Sequence, residues 1–345
     1  MNPVNQPRRG ILAAGNWIID HVKRLDHFPE QDGLASILEE RDGNGGCAYN
    51  LLKGLAKLET GLPLFAAGCT GDDADGARIR EDCRIHGIDT QALAILPDVP
   101  TSYTDVMTDS RTGRRTFFHH RGANARLSPE HIPVGNTPAR LLALGYFGLL
   151  DALDADNGAG HARVLNIASD AGLITAADLV STPADFASIV GPSLPHLDYL
   201  VLNEWEAARL KGSGDEPAPE DGQALADLAA SLCGKGVRGA VVIHTPAGAV
   251  AVEADGTRHT QPAVDFPSNR IRGSAGAGDA FFAGLLYGIH EAWPLAQSLR
   301  LAVCSGAASL EAPTCSDSLR PWARCLDLGE SLGFQRNPAW PEAGG

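Results

Sequence analysis

The sequence has little of the features that mark membrane or exported proteins. No apolar run approaches the roughly 20 residues that a membrane helix requires. The apolar stretch near the N-terminus spans only five residues before Asn16, which is too short for the core of a signal peptide. We therefore expect no membrane as a partner.

Paired cysteines and basic runs are also missing. The seven cysteines are scattered, with no Cys-x-x-Cys spacing, which is typical of reduced thiols. We therefore expect neither a disulfide framework nor a zinc site, and we expect a location in the cytoplasm. The net charge is −14, and no basic run is longer than Arg8-Arg9 or Arg114-Arg115, which argues against nucleic acid as a partner.

What the chain does have is a regular alternation of short apolar runs with helical spacing. Its 345 residues are 44% hydrophobic and 20% charged, which suits one large α/β domain or two small ones. The alternation predicts a mostly parallel sheet covered by helices on both faces. The predicted strands are Ile11–Ala14, Leu64–Ala67, Leu141–Leu144, Leu173–Ala177, Tyr199–Leu202 and Ala240–Ile243.

Two β-rich segments, at about 17–43 and 101–122, do not fit this alternation. In the first, Leu34–Leu38 is strand-like and lies between Asp-Gly turns at 32–33 and 42–43. The second has the pattern of a hairpin. We expect one main domain over residues 10–330 with a small separate sheet inserted twice, and a C-terminal tail over 331–345.

The most informative segment is a loop of small residues that opens an apolar helix. Gly276, Ala277 and Gly278 precede Asp279, and the next residues place apolar side chains on one helical face. Amides at a helix start have no helical partner and can bind phosphate oxygens. A carboxylate beside them can accept the proton of an attacking hydroxyl. Helix capping by Asp279 is the alternative interpretation.

This segment resembles the C-terminal motif of the PfkB/ribokinase family of carbohydrate kinases, usually written D-T-x-G-A-G-D. The resemblance implies that Asp279 is the catalytic base and that Gly276, Ala277 and Gly278 form the anion hole for the transferred phosphoryl group. It also implies a ribokinase-like α/β fold, in which a mostly parallel sheet is flanked by helices and carries a small β-sheet lid.

A second motif resembles the family's sugar-binding element. Gly45-Gly46 is followed by Asn50, four residues after the second glycine, as in that family. Asp20 resembles the carboxylate that binds sugar hydroxyls after the first strand. The resemblance implies substrate binding by Asp20, Gly45, Gly46 and Asn50. Ile18 stands where ribokinases proper have Asn, so ribose is not assumed.

Further motifs concern the metal and the nucleotide. Asn203 and Glu206 resemble the family's N-x-x-E element, which places Mg²⁺, although an ordinary capped helix start has the same pattern. The resemblance places Thr245 and Gly248 beside ATP, with Thr245 replacing the usual Gly. Ser305 lies in a segment that resembles the wall of the adenine pocket.

The resemblance predicts an ATP- and Mg²⁺-dependent enzyme that phosphorylates a hydroxymethyl group of a sugar or sugar-like substrate. Arg121–Asn124 resembles the turn after the second lid strand, and lids of this family often pair two subunits, so we expect a homodimer through the lid. Gly273 replaces the Asp that helps to hold a monovalent cation, which leaves potassium dependence open.

Alternatives to this function remain. A nucleoside kinase of the same fold is the first, and a catalytically weak sugar-binding regulatory relative is the second. A dinucleotide fingerprint matches Gly43-x-Gly45-x-x-Ala48 only formally, because it does not follow the first strand directly. No GxxxxGK[ST] motif is present, which excludes P-loop kinases.

Overall fold

Two β-sheets organise the chain in the computed structural model, which describes residues 7–212, 216–336 and 340. The strands are β1 Ile11–Gly15, β2 Ile18–Leu25, β3 Ile37–Gly45, β4 Leu64–Gly71, β5 Ile88–Leu96, β6 Ser102–Asp109, β7 Arg115–His120, β8 Leu141–Phe147, β9 Ile174–Leu179, β10 Tyr199–Asn203, β11 Ala240–Thr245, β12 Gly248–Glu253 and β13 Arg258–Pro262. The helices are α1 Cys47–Lys57, α2 Ala74–Ile85, α3 Asp151–Asp170, α4 Phe186–Val190, α5 Glu204–Lys211, α6 Gly222–Cys233, α7 Ala277–His290, α8 Leu295–Ser309 and α9 Trp322–Leu332.

The larger sheet has nine strands in the order β13-β12-β11-β10-β9-β8-β1-β4-β5. Its neighbouring strands pair in parallel except around β12, which is antiparallel to both β11 and β13. The mostly parallel sheet expected from the sequence is therefore confirmed. Strands β5, β12 and β13 were not predicted. The partly exposed, polar residues of the two edge strands, β5 and β13, break the continuous apolar pattern of a buried parallel strand.

Helices cover both faces of this sheet. Successive residues of β1 alternate between two cores: Ile11 and Ala13 pack on one side, and Leu12 and Ala14 on the other. The first core is completed by α1, α2, α7, α8 and α9, and the second by α3 to α6. In the part of the chain that the structure describes, no helix is both long and apolar enough to cross a membrane.

The smaller sheet, called the small sheet below, has the order β3-β2-β6-β7. Its strands come from the two β-rich segments of the sequence. Contrary to the expectation for Leu34–Leu38, β3 begins only at Ile37, and it continues through the predicted turn at 42–43 to Gly45. The pairing explains this difference, because β2 keeps an antiparallel register with β3 from Ile18, opposite Gly45, down to Arg24.

The beginning of the predicted C-terminal tail packs on the main body. Helix α9 runs to Leu332, and Phe334 forms an isolated antiparallel bridge with Val264. Trp340 is buried in the second core. The remaining tail residues, 337–339 and 341–345, lie outside the described residues.

Candidate active site

Polar side chains gather where the parallel strands of the large sheet end. Strands β1, β8, β9, β10 and β11 end at this edge, and helices α1, α5 and α7 begin there. Crevices at the carboxyl ends of parallel strands are the usual ligand sites of such sheets. A cavity of 550 Å³ opens here, between the large sheet and the small sheet. This central cavity is lined by Asp20, Gly46, Asn50, Thr104, Arg115, His119, Tyr146, Asp178, Asn203, Glu206, Gly276, Gly278 and Asp279, among others.

Asp279 lies in the first turn of α7 and is held by two hydrogen bonds. The hydroxyl of Tyr146 donates to Oδ1 at 2.7 Å, and the amide Nδ2 of Asn50 donates to Oδ2 at 2.9 Å. The amide oxygen of Asn50 accepts a hydrogen bond from Asn44 at 2.6 Å. Asn50 therefore positions the carboxylate and is engaged at both ends of its amide, in addition to lining the cavity.

Helix α7 starts at a backbone conformation that favours glycine. Gly276 has φ 74° and caps the helix, and a Cβ there would lie 2.5 Å from the Cα of Cys315. The amide of Ala277 makes only a long hydrogen bond, 3.4 Å, to the carbonyl of Ser274. The amides of the first turn, which include Gly278, have no acceptor within the helix, so this end of α7 suits an anion.

The predicted sugar-binding residues meet on the other side of the cavity. Gly46 precedes α1 with φ 87°, and a Cβ there would lie 2.5 Å from the carbonyl oxygen of Asn16. A Cβ on Gly45 would lie 2.4 Å from the carboxylate of Asp20, so glycine leaves room for that side chain. Burial and the charge of Asp279 raise the pKa of Asp20 to about 7, against a hydrogen bond from Thr104 that lowers it.

Three more buried carboxylates surround the same space. Burial raises the pKa of Asp279, although its bonds from Tyr146 and Asn50 oppose the shift. Burial and the charges of Asp279 and Glu206 raise the pKa of Asp178 well above its ordinary value. Burial likewise raises the pKa of Glu206 to about 7. A cation bound among these buried carboxylates would stabilise their ionised forms.

Asn203 and Glu206 form a reciprocal cap at the start of α5. Asn203 Oδ1 accepts from the amide of Glu206 at 2.8 Å, and the Glu206 carboxylate accepts from the amide of Asn203 at 3.0 Å. Ser181 donates to the other oxygen of Glu206 at 3.0 Å. The ordinary capping interpretation therefore describes their bonding, and both residues also line the central cavity.

Ligand atoms of Cys47, Asp178 and Asp279 lie within 4.8 Å of one another. Burial and the two carboxylates raise the pKa of the Cys47 thiol well above its ordinary value, which keeps it neutral. A neutral thiol is a poor ligand for a hard cation, whereas the carboxylate oxygens suit Mg²⁺. The cluster therefore fits an oxygen-ligated ion better than a thiolate-bound one.

A second cavity, of 510 Å³, lies beside the first between α7, α8 and the hairpin of β11 and β12. We call it the apolar cavity, and its lining includes Asn203, His244, Thr245, Gly248, Val264, Phe266, Gly278, Phe281, Val303, Gly306, Ala307 and Leu310. Thr245 and Gly248, which the resemblance places beside ATP, both line this cavity. Ser305 is not: it is fully buried and faces Gly284 of α7, because α8 turns its neighbours Val303, Gly306 and Ala307 toward the space instead.

Trp17 and His119 lie in different environments. Trp17 is fully buried, stacks on Tyr49 and donates to the carbonyl of Ala67, so it belongs to the core. His119 lines the central cavity, and its Nδ1 lies 3.0 Å from the hydroxyl of Thr104. Its Nε2 is buried and has no hydrogen-bond partner among the described residues.

Tyr146 and Asp178 were not predicted as site residues from the sequence. Asp178 directly follows the predicted strand Leu173–Ala177, and Tyr146 lies two residues beyond the predicted strand Leu141–Leu144. Polar residues at or just beyond the carboxyl ends of parallel strands are a signal for a site, and this signal could have identified both. Their partnership with Asp279 becomes visible only when the strands are placed side by side.

Comparisons with known proteins agree with this geometry. The chain is 30% identical over 276 residues to an ATP-dependent ribose-1-phosphate kinase of Halopiger xanaduensis, which covers 80% of this chain and 83% of that protein. It is 25% identical over 337 residues to a ribokinase of Schizosaccharomyces pombe, covering 95% and 99%.

Solved structures show the same fold. Arabidopsis thaliana ribokinase complexed with ribose and ATP has a TM-score of 0.77 at 20% identity, covering 93% of this chain and 99% of that one. Burkholderia thailandensis nucleoside kinase in complex with inosine has a TM-score of 0.75 at 21% identity, covering 95% and 100%. The model of the pfkB family carbohydrate kinases matches residues 9–322. The chain therefore belongs to the pfkB family of carbohydrate kinases.

Proposed function

We propose that this protein transfers the γ-phosphoryl group of ATP to the hydroxymethyl group of a sugar or sugar-like substrate. The observation that carries the proposal is the position of Asp279. Its buried carboxylate is oriented by Tyr146 and Asn50, and it stands at the amide-rich start of α7, where the central cavity adjoins the apolar cavity.

The proposed step needs one proton acceptor and one anion site. Asp279 takes the proton of the substrate hydroxyl as its oxygen forms a bond to the γ-phosphorus. The bond from that phosphorus to the β–γ bridging oxygen breaks, and ADP leaves with the electron pair. Amides at Gly276, Ala277 and Gly278 stabilise the charge on the transferred group.

The substrate and the nucleotide take different cavities in this proposal. Asp20, Gly46 and His119 contact the sugar in the central cavity, with Gly45 making room for Asp20. The adenine and ribose of ATP enter the apolar cavity beside Thr245 and Gly248. Closure of the small sheet over the sugar excludes water and limits ATP hydrolysis.

The residues around Glu206 fit Mg²⁺. Three buried carboxylates with raised pKa values, those of Asp178, Glu206 and Asp279, line the central cavity, and oxygen ligands are those that this cation prefers. We propose that Asn203 and Glu206, with Asp178 beside them, hold the ion directly or through water. Bound Mg²⁺ neutralises phosphate charge.

A nucleoside is the second candidate for the acceptor. Apolar side chains, among them Ile18, Leu149 and Leu179, line part of the central cavity and offer a surface to a base. A nucleoside kinase of Methanothermobacter thermautotrophicus is 32% identical over 111 residues, which cover 32% of this chain and 35% of that protein. The homodimer through the small sheet and the cytoplasmic location stay predictions.

Replacing the proposed base tests the function. We expect Asp279→Asn to lower turnover by about 10²–10⁴-fold, the usual contribution of a general base, while the sugar still binds. The measurement is Mg²⁺-dependent ATP consumption with sugars, sugar phosphates, sugar acids and nucleosides, with and without potassium, beside calorimetric binding.

Asp327→Asn is the matched control, because Asp327 is exposed on α9 and pairs only with Arg324 in the described structure. Turnover that survives in Asp279→Asn would remove the base assignment. An unmodified protein that binds a sugar and consumes no ATP with any acceptor is a sensor with a kinase fold.

A further inference from the structure

A third cavity, of 370 Å³, opens from the central cavity under the small sheet. It shares Asp20, Arg115 and Ser274 with the central cavity. Its lining includes four arginines, and we call it the arginine cavity: Arg24, Arg41, Arg115 and Arg272. Such a concentration of positive charge is unexpected in a chain with a net charge of −14.

The strand register places Arg24, Arg41 and Arg115 on the face of the small sheet that carries Asp20. Arg41 pairs with Val22, which lies two residues from Asp20 on β2. Asp20 pairs with Thr104, which pairs with His119, and these form one row across the sheet. Four residues further along β2, Arg24 pairs with Thr108, which pairs with Arg115. Side chains four residues apart on a strand share a face, so the polar row and the basic row line one continuous surface.

The arginine cavity is lined by more arginines than acidic residues, because Asp20 and Glu39 are the only acids among its described lining residues. Arg24 and Arg41 share a single carboxylate, that of Glu39, at 3.0 and 2.8 Å. Arg272 has no side-chain hydrogen bond or ion pair within the described residues. Two guanidinium groups on one carboxylate leave a positive charge at the mouth of the cavity.

Arg115 connects this charge to the sugar site. Its guanidinium donates to Ser274 Oγ at 3.1 Å and lies over the ring of Phe117. Its charge also reaches Asp20, whose pKa it lowers against the larger effect of burial. A neutral ligand atom does not balance the positive charge of the Arg115 guanidinium, whereas an anionic group would form an ion pair with it.

We propose that the acceptor is a sugar phosphate, with its free hydroxymethyl group at Asp279 and its existing phosphate group held by Arg115 together with Arg24 and Arg41. This inference rests on the proposed function and specifies the substrate of the same site. The existing phosphate does not react; it only fixes the sugar. A dianionic phosphate matches several guanidinium groups better than the single charge of a sugar acid does.

The arginine cavity is separate from the proposed nucleotide site. It shares only Ile271 and Ser274 with the apolar cavity among the described residues. The phosphates of ATP have their own anion site at the start of α7. The arginines are therefore assigned to the acceptor and not to the nucleotide.

Comparing acceptors that differ in one phosphate tests the assignment. We expect kcat/KM for ribose 1-phosphate to exceed that for ribose and for inosine by about 10²-fold or more, since paired charged hydrogen bonds contribute strongly to recognition. Equal or better turnover of ribose, inosine or 2-keto-3-deoxygluconate would overturn the sugar phosphate while leaving the kinase in place.

Arg115→Gln separates this inference from the proposed function. We expect it to weaken ribose 1-phosphate binding, measured by calorimetry without nucleotide, by about 10–100-fold, with KM for ATP unchanged. Arg115→Lys should recover part of that binding. Arg114→Gln is the matched control, because the adjacent Arg114 is exposed and does not line the cavity.

These binding measurements decide the inference even if no acceptor is phosphorylated. Unaltered ribose 1-phosphate affinity in Arg115→Gln would contradict it, as would a raised KM for ATP alone. Absence of turnover with every acceptor, despite arginine-dependent binding, would instead remove the proposed function.

Discussion

The Asp279 carboxylate is subject to two opposing influences. Burial favours its neutral form, and the hydrogen bonds from Tyr146 and Asn50 favour the charged form that a base requires. Burial prevails, so its pKa lies above the ordinary value. A base with a raised pKa is a stronger proton acceptor, provided that the pH is high enough to keep it ionised.

Removing the Tyr146 hydroxyl should therefore change the pH dependence of the reaction. In Tyr146→Phe the carboxylate loses a donor, its pKa rises further, and the acid limb of kcat/KM moves to higher pH. The measurement is a pH–rate profile of the variant and the unmodified enzyme. Tyr146 acts through Asp279, so it is a positioning residue.

Tyr199→Phe provides the control for this profile. Tyr199 lies at the start of β10, at the opposite end of the strand from Asn203 and the site. Its profile should overlay that of the unmodified enzyme. A Tyr146→Phe enzyme with a lower rate but an unmoved acid limb would show that the hydroxyl has no influence on the ionisation of Asp279.

At the scale of elements, the packing of α7 on α8 sets the position of the base. A Cβ on Gly284 would lie 2.7 Å from Ser305 Oγ, and one on Gly288 would lie 2.4 Å from Ser298 Oγ and 2.9 Å from its Cα. Two glycines four residues apart thus let the helices touch along one stripe. Because α7 carries Asp279 in its first turn, the contact between α7 and α8 fixes the position of Asp279 in the site.

A larger side chain at the contact between α7 and α8 should lower both the stability and the activity of the protein. We expect Gly288→Val to lower the free energy of unfolding by about 1–3 kcal/mol, the usual cost of overpacking a core. Chemical denaturation measures this change, and ATP consumption reports the displacement of α7.

Ala296→Val controls for the branched side chain, because Ala296 is exposed on α8. It should lower stability by only a few tenths of a kcal/mol, about the difference in helix propensity. Equal losses of unfolding free energy in Gly288→Val and Ala296→Val would mean that the close approach of α7 and α8 does not contribute to stability.

At the scale of the whole molecule, the fold collects buried acids from distant parts of the chain. Asp20 lies on β2 of the small sheet, and Asp178 lies on β9 of the large sheet. Glu206 lies on α5 and Asp279 on α7. Their raised pKa values mean that the folded state binds protons that the unfolded state releases. Without ligands, the contribution of these four carboxylates to stability is therefore greatest at low pH and is lost as they ionise.

Glu206 makes this dependence measurable. Its pKa rises from 4.5 to about 7, so its contribution is fully present below pH 4.5 and is lost as the pH rises through about 7. The ligand-free protein should lose about 3 kcal/mol of unfolding free energy over this range through Glu206 alone. Over this range, the change in unfolding free energy of Glu206→Gln should differ from that of the unmodified protein by this amount.

Denaturation curves between pH 4.5 and 7.5 provide the measurement. Glu30→Gln is the control, because Glu30 is exposed and its removal should leave the slope unchanged. A Glu206→Gln protein whose slope matches that of the unmodified protein would contradict the assignment of a bound proton to Glu206.

The sequence by itself determined the fold class and the start of α7. Apolar runs of buried parallel strands repeat regularly, and the Gly276–Asp279 segment carries a local motif, so neighbouring residues were enough to identify both. The same holds for Gly45, Gly46 and Asn50, whose spacing is fixed by the start of one helix.

Only the tertiary structure decided which side chains meet. Tyr146, Asp178 and Asp279 are far apart in the chain and become neighbours because parallel strands end at one edge. The pairing of β2, β6 and β7 likewise brings Arg24 and Arg115 onto the face of Asp20. Sequence spacing contains no information about such contacts, because strand order and register are set by long-range packing.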